Sequence, residues 1–241
     1  MLQMKVAIVG YGKMGKEIEK ILLERGHSVS AKLRSTDDIS IVLGSDVAIE
    51  FTRPESAIDN ISFCLKNNVP VVVGTTGWLE QLGEMEALVE ETKGALLYAS
   101  NFSLGVNIFF ELNEYLAKMM DTVDGYNVDV QEIHHTEKLD APSGTGISIA
   151  EGIINNSSEF TSWENAKKSQ KSGGSVLNIE SLRLPNVPGT HEVVYDSEID
   201  KISIEHVAHN RIGFAKGSVV AAEFLHGKQG VYTMKDVLNI K

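Results

Sequence analysis

A hydrophobic run that stops at a glycine corner and resumes as a helix leaves a chain few ways to fold, and residues 6–22 have that form. Val6-Ala7-Ile8-Val9 reads as a short buried strand. Gly10-Tyr11-Gly12-Lys13-Met14-Gly15 follows in the pattern G-x-G-x-x-G, and Met14, Ile18, Ile21 and Leu22 then recur at helical spacing until Gly26 ends the run. Glycines let the backbone turn tightly and approach a pyrophosphate, whose charge can rest on the helix N-terminus. The strand before and the helix after make residues Gly10, Tyr11, Gly12, Lys13, Met14 and Gly15 candidate contacts to a dinucleotide.

The same alternation continues. Residues 27–33, 46–52, 69–73 and 95–99 read as further strands, with a helix over Ala57, Ile61 and Leu65 that starts near Pro54. Strands alternating with helices imply a doubly wound parallel sheet whose ligand crevice lies beyond the strands' carboxyl ends. Gly74-Thr75-Thr76-Gly77 occupies one such end. At the second strand's end, where an acidic residue would hold the ribose hydroxyls of NAD, the chain reads Lys32-Leu33-Arg34-Ser35-Thr36. A basic, hydroxyl-bearing corner suits the 2′-phosphate of NADPH, with Arg34 as its contact; Asp37 and Asp38 follow closely enough to keep NADH open.

Beyond residue 103 a helix over residues 104–120 leads into strand-rich sequence. Residues 126–134, 176–183, 191–196 and 199–207 are β-rich or alternating and too closely grouped for more strand-helix-strand units, so a mixed, largely antiparallel sheet flanked by helices is expected. The polar stretch 155–175, with Gly173-Gly174, is expected to be a mobile loop. The first of these strands ends in Glu132-Ile133-His134-His135-Thr136-Glu137-Lys138-Leu139-Asp140-Ala141-Pro142-Ser143-Gly144-Thr145. Two histidines at a strand end, a lysine on the following loop and a helix opening near Ser143 bring together a group titrating near neutrality, an ammonium and an anion-binding helix end. That combination suits proton transfer to a small carboxylated substrate, although two surface histidines and an ordinary cap would leave the same sequence trace.

A net charge of −11 argues against a nucleic-acid surface and requires a local basic pocket for any anionic substrate. The single cysteine, Cys64, lies in an apolar run and reads as a small buried hydrophobe. No disulfide framework, secretory signal or membrane span is apparent, and a cytoplasmic protein is expected. His206 and His209 lack a closed ligand set, so no metal is assigned.

The run E-I-H-H-T-E-K-L-D-A-P-S-G-T resembles the signature of the 4-hydroxy-tetrahydrodipicolinate (dihydrodipicolinate) reductases, nicotinamide-dependent enzymes of lysine and diaminopimelate synthesis. The family's first glycine usually stands one residue further from the Met-Gly pair than here. Ser100-Asn101-Phe102-Ser103 resembles the family's hinge, and residues 230–238 its closing segment. Residues 183–191 partly match its R-x-G-x-I-x-G-x-H pattern, with Pro185 in place of the first glycine. The resemblance implies a Rossmann-type cofactor domain (residues 1–102 and 215–241) and a smaller α+β substrate and oligomerisation domain (residues 103–214). It implies His134 as proton donor or acceptor and Lys138 as proton donor. His135, Ser143, Gly144, Thr145 and Arg211 would bind the dicarboxylate, with Gly74, Thr75, Thr76, Ala99, Ser100, Asn101 and Phe102 joining the cofactor contacts. NADPH or NADH as cofactor and a homotetramer complete the expectation. Two alternatives remain: a dehydrogenase of another small substrate, and a dinucleotide-sensing protein without catalysis.

Overall fold

The computed structural model describes residues 3–166, 172, 174–210 and 212–240. The chain divides into two compact units, Met1–Leu104 with Ile212–Lys241, and Gly105–Arg211. The first unit opens with β1 (Lys5–Val9), α1 (Lys13–Glu24), β2 (Ser28–Leu33), β3 (Val47–Glu50), α2 (Pro54–Lys66), β4 (Val71–Val73), α3 (Leu82–Thr92) and β5 (Ala95–Tyr98). Helix α4 (Leu104–Met120) then carries the chain into the second unit. There follow β6 (Asn127–His134), α5 (Gly144–Ile154), β7 (Ser162–Ala166), β8 (Val176–Arg183), β9 (Gly189–Asp196) and β10 (Lys201–Ala208). The chain returns to the first unit as α6 (Ile212–Leu225), β11 (Gly230–Tyr232) and α7 (Met234–Val237).

The six strands of the first unit lie in the order β11-β5-β4-β3-β1-β2, and every pairing is parallel. Helices cover both faces, which is why these strands read as continuous apolar runs without alternation. Val6 and Ile8 face a layer that includes Ile18 and Leu22 of α1 and Ala215, Val219 and Leu225 of α6. Ala7 and Val9 face the opposite layer with Ile61, Cys64 and Leu65 of α2 and Met85 and Val89 of α3. Each fully buried aliphatic side chain contributes roughly 1.5–3 kcal/mol, so the two layers together hold the sheet. Cys64 is one of those core groups, and burial pushes its thiol up to about 12. From β1 the chain adds β2 on one side and then β3 on the other, placing the switch in strand order at the carboxyl ends of β1 and β3.

The five strands of the second unit run β10-β9-β6-β8-β7. β10–β9 and β9–β6 are antiparallel, whereas β6–β8 and β8–β7 are parallel. The sheet is therefore mixed with pairings divided evenly. The close spacing of strands had argued against another strand-helix-strand unit, but α5 supplies that crossover between β6 and the parallel pair. Part of the segment expected to be a loop is also ordered: β7 is an edge strand, and Phe160 is buried with Val128, Val130, Ile149 and Ile153. β7 was hidden because its own residues are mostly exposed, leaving no hydrophobic alternation to read. Residues 167–171 and 173 of that expected loop lie outside the described residues. Among the described residues, no helix is long and apolar enough to cross a membrane.

Helix α6 passes so close to the chain at Phe102 that a Cβ on Gly217 would come 1.6 Å from the Phe102 carbonyl oxygen. An alanine there gains up to about 1 kcal/mol of helix propensity. It must also displace backbone, and overpacking commonly costs about 1–3 kcal/mol or more. Because backbone must move, the cost is expected to exceed the gain, and Gly217→Ala should lower stability by up to about 2 kcal/mol, read as a reduced urea midpoint; an unchanged or raised midpoint would contradict this packing.

Candidate active site

In the first unit the three glycines of the corner do different work. Gly10 has φ of +101°, and a Cβ there would meet the Phe51 carbonyl oxygen at 1.9 Å, so only glycine can make this turn. A Cβ on Gly15 would meet the Gly10 carbonyl at 2.5 Å and the Ile8 side chain at 3.1 Å, which fixes the close approach of α1 to β1. Around Gly12 nothing lies within 4 Å of that position. A turn, an open flank and a tight helix-strand contact are the requirements for seating a pyrophosphate on a helix N-terminus.

The corner opens on a cavity of about 480 Å3 whose wall includes Gly10, Tyr11, Gly12, Arg34, Ser35, Asp37, Thr52 and Arg53. Asp37 accepts a hydrogen bond from the Arg34 amide at 2.7 Å, and Asp38 caps the following 3-10 turn through the Ser40 amide at 2.8 Å. A neighbouring cavity of about 290 Å3 is walled by Met14, Phe51, Thr52, Pro54, Gly74, Thr75 and Thr76. The Thr52 amide donates to Thr75 Oγ1 at 2.7 Å, and Trp78 Nε1 donates to the Thr75 carbonyl at 2.8 Å, so the Gly74–Thr76 loop is fixed against the end of β3. Lys13 and Gly15 do not line either cavity, and neither do Ala99, Ser100, Asn101 and Phe102, which follow β5. There Asn101 Oδ1 accepts from the Ser103 amide at 2.8 Å, and Phe102 packs on Phe51 at a ring separation of 5.7 Å.

Glu50 carries no local sequence signal for a place at this site. It ends β3 fully buried, hydrogen-bonded by Thr52 Oγ1 and by Asn60 Nδ2 at 3.4 Å. Burial raises its carboxyl above the usual range against the lowering effect of those partners.

In the second unit, the alternation of β6 that buries Val128 and Val130 continues into Glu132 and His134, at the end of the covered face. Glu132 is wholly buried, and its Oε1 accepts from the Ser143 amide at 3.0 Å and from Arg183 Nη2 at 3.1 Å. Its Oε2 lies 3.3 Å from His134 Nδ1 and 3.8 Å from His191 Nε2. The 3.3 Å approach brings these two buried atoms face to face without the alignment of a hydrogen bond. Burial works to raise the Glu132 carboxyl, but the contacts from His134 and Ser143 outweigh it and hold the group well below the usual carboxylate range. His191 crosses His134 edge to face at 5.1 Å and lies 3.4 Å from Ser143 Oγ. Burial, followed by the neighbouring His134, lowers its imidazole to about 4 and keeps it neutral. The ligand atoms of Glu132, His134 and His191 lie within 4.8 Å of one another, a spacing that could admit a cation. Arg183 already supplies positive charge to this carboxylate.

Ser143 behaves as a helix cap. Its Oγ accepts from the Gly146 amide at 3.0 Å, so the hydroxyl is committed to the fold, while Gly144 and Thr145 present the first amides of α5 ahead of the capped one. On the loop between, Lys138 Nζ pairs with both oxygens of Asp140 at 2.8 and 2.9 Å. Arg183 clamps this loop, donating from Nε to the Lys138 carbonyl at 3.2 Å and from Nη2 to the Asp140 carbonyl at 2.5 Å. The structure thus gathers His134, Lys138, Ser143, Gly144 and Thr145 around the end of β6, with His135 following directly. Arg211 lies outside the described residues.

Glu132, Arg183, Gly189 and His191 were not assigned roles from sequence. Three of them occupy the partly matched pattern of residues 183–191, which was the available signal. At Gly189 a Cβ would come 3.2 Å from His134 Nε2, a tight contact that would press on the imidazole.

A parallel doubly wound sheet with this glycine corner defines a nucleotide-binding protein of the Rossmann type. The chain matches the sequence profiles of dihydrodipicolinate reductase, N-terminus, over residues 4–102, and dihydrodipicolinate reductase, C-terminus, over residues 105–238. It therefore belongs to the dihydrodipicolinate reductase family. It is 46% identical over 98% of both chains to the 4-hydroxy-tetrahydrodipicolinate reductase of Christiangramia forsetii. It is 31% identical, over 92% of this chain and 84% of the relative, to the enzyme of that name from Neisseria meningitidis serogroup B. A solved dipicolinate-bound dihydrodipicolinate reductase from Paenisporosarcina sp. TG-14 shares the fold over 100% of both chains, with a TM-score of 0.83 at 24% identity.

The neutral state of His191 has a consequence for stability. Its folded value, about 4, lies below its ordinary 6.5, so the unfolded chain takes up this proton first as pH falls. The stability it allows is complete above pH 6.5 and is lost progressively down to about pH 4. Urea unfolding across that window should show a shallower loss for His191→Gln than for the parent; equal slopes would contradict a buried neutral His191.

Proposed function

We propose that the chain reduces 4-hydroxy-tetrahydrodipicolinate to tetrahydrodipicolinate, with loss of water, in lysine and diaminopimelate synthesis. The single observation that carries this reading, beside family membership, is the polar end of β6. Buried Glu132 there faces the imidazole of His134 and holds the amide that opens α5, and through Arg183 it braces the loop that carries the Lys138 ammonium. The first unit would serve as the cofactor domain and the second as the substrate domain. A bound nicotinamide would supply hydride to the conjugated C=N system of the substrate. Gly10–Gly15, Arg34 and Gly74–Thr76 would hold the cofactor, with Ala99–Phe102 at the chain's exit from that domain. The open flank at Gly12 and the adjoining cavity fit this role.

NADPH is favoured over NADH because Arg34 lines the cavity, while Asp37 in the same wall accepts from the Arg34 amide and Asp38 caps the turn that follows. Hydride addition leaves a site that needs a proton, and His134 and Lys138 are the proton-transfer groups. The amides of Gly144 and Thr145, together with His135 and Arg211, would take the substrate carboxylates. Ser143 contributes mainly by capping and shaping that turn. On substrate entry Lys138 would exchange Asp140 for the substrate. Family likeness favours a cytoplasmic homotetramer built through the second unit's sheet, a subunit count that light scattering would read.

The test is an absorbance assay of NADPH and NADH oxidation with substrate generated freshly from pyruvate and aspartate semialdehyde. Turnover is expected, and His134→Gln or Lys138→Met should each lower kcat by about 10²–10⁴-fold with NADPH affinity unchanged. Absence of turnover would overturn the reaction, and loss of NADPH binding in those variants would overturn the residue roles.

A further inference from the structure

Glu132, at the end of β6, touches both halves of the proposed chemistry. A carboxylate with no exposure is costly unless its charge is met, and here two donors from different elements meet it on one oxygen. Oε1 receives the Ser143 amide at 3.0 Å and the Arg183 guanidinium at 3.1 Å, which ties it to the opening of α5 and to the end of β8. Oε2 has no hydrogen-bond partner and faces His134 Nδ1 at 3.3 Å. The walls around that imidazole leave it little freedom: His191 stands edge-on at 5.1 Å, and the space for a Cβ on Gly189 is closed by Nε2 at 3.2 Å.

We propose that Glu132 is the positioning residue of this site, fixing the His134 ring through Nδ1 while holding the carboxylate-binding turn through Ser143. The proposal rests on the roles given to His134 and to Ser143–Thr145 above. An ionised carboxylate only accepts hydrogen bonds, so it selects the neutral imidazole tautomer that carries its hydrogen on Nδ1. Nε2 is then the nitrogen that exchanges a proton with substrate. Because one rigid side chain spans both contacts, the proton-transfer group and the anion-binding amides keep a constant separation. Aspartate, one methylene shorter, cannot span both.

Glu132→Gln separates the two contacts. Its amide oxygen still accepts from Ser143, but its NH2 group now faces Nδ1 and favours hydrogen on Nε2. In the full-length protein this variant should keep the KM for the dicarboxylate within about threefold and lower kcat about 10- to 100-fold, a scale taken by analogy from the outer partners of metal-bound histidines. Glu132→Ala should raise KM as well, because the turn at Ser143 loses its acceptor. The readout independent of turnover is 15N NMR of histidine-labelled protein, with the His134 signal identified by its loss in His134→Gln. The parent should show hydrogen on Nδ1 and Glu132→Gln should show it on Nε2.

A parent protein with hydrogen on Nε2, a Glu132→Gln spectrum unchanged from the parent, or Glu132→Gln with undiminished kcat would each overturn the proposal. Unimpaired turnover in His134→Gln would instead overturn the role of His134. The two readings therefore fail separately.

Discussion

A carboxylate taken wholly out of water must find its donors within the protein, and the second unit is arranged around that requirement at Glu132. The same requirement selects its neighbours. Ser143 gives a backbone amide and thereby fixes where α5 begins; Arg183 gives a guanidinium and, with its remaining donors, holds the carbonyls of Lys138 and Asp140. Loop, helix start and strand ends are thus positioned by one charge rather than by separate contacts. The low carboxyl value and the neutral His191 beside it are opposite outcomes in the same buried setting: contacts outweigh burial at the acid, whereas burial and the neighbouring His134 disfavour the charged form of the base.

The first unit meets a different constraint with the same economy of parts. A backbone that must approach a ligand closely cannot carry side chains where it turns, so Gly10 turns, Gly15 lets the helix pack, and Gly12 leaves space. The sheet brings this corner beside the ends of β3 and β4, where Thr52 and Thr75 are joined by a hydrogen bond. Both units place their chemistry at strand ends for the same reason. A strand fixes direction, and the loop beyond it is where polar groups can stay near water.

What the sequence disclosed follows from how local each signal is. The glycine corner, the helical repeat after it and the parallel runs are written in adjacent residues, and the structure follows them closely. The histidine-lysine stretch was legible as chemistry because its members lie within a dozen residues. Strand β7 was not legible, since an edge strand with exposed side chains carries no apolar rhythm, and its pairing with β8 is visible only in three dimensions. The work of Arg183, Gly189 and His191 was hidden for a related reason. Each acts on a residue of β6 some fifty positions away, and a buried ion pair has no signature until the strands are side by side. Ser143 shows the opposite case: its place was read correctly as a helix start, yet burial and the Gly146 amide decide that its hydroxyl caps the helix.

The central claim is that the end of β6 and the start of α5 form one anion-binding, proton-transferring surface. Backbone amide NMR of the full-length protein titrated with pyridine-2,6-dicarboxylate, a planar ring bearing two acids, tests this most directly. The account predicts saturable shifts concentrated at His135, Gly144 and Thr145. Saturable shifts confined to the first unit, with those amides unmoved, would contradict it.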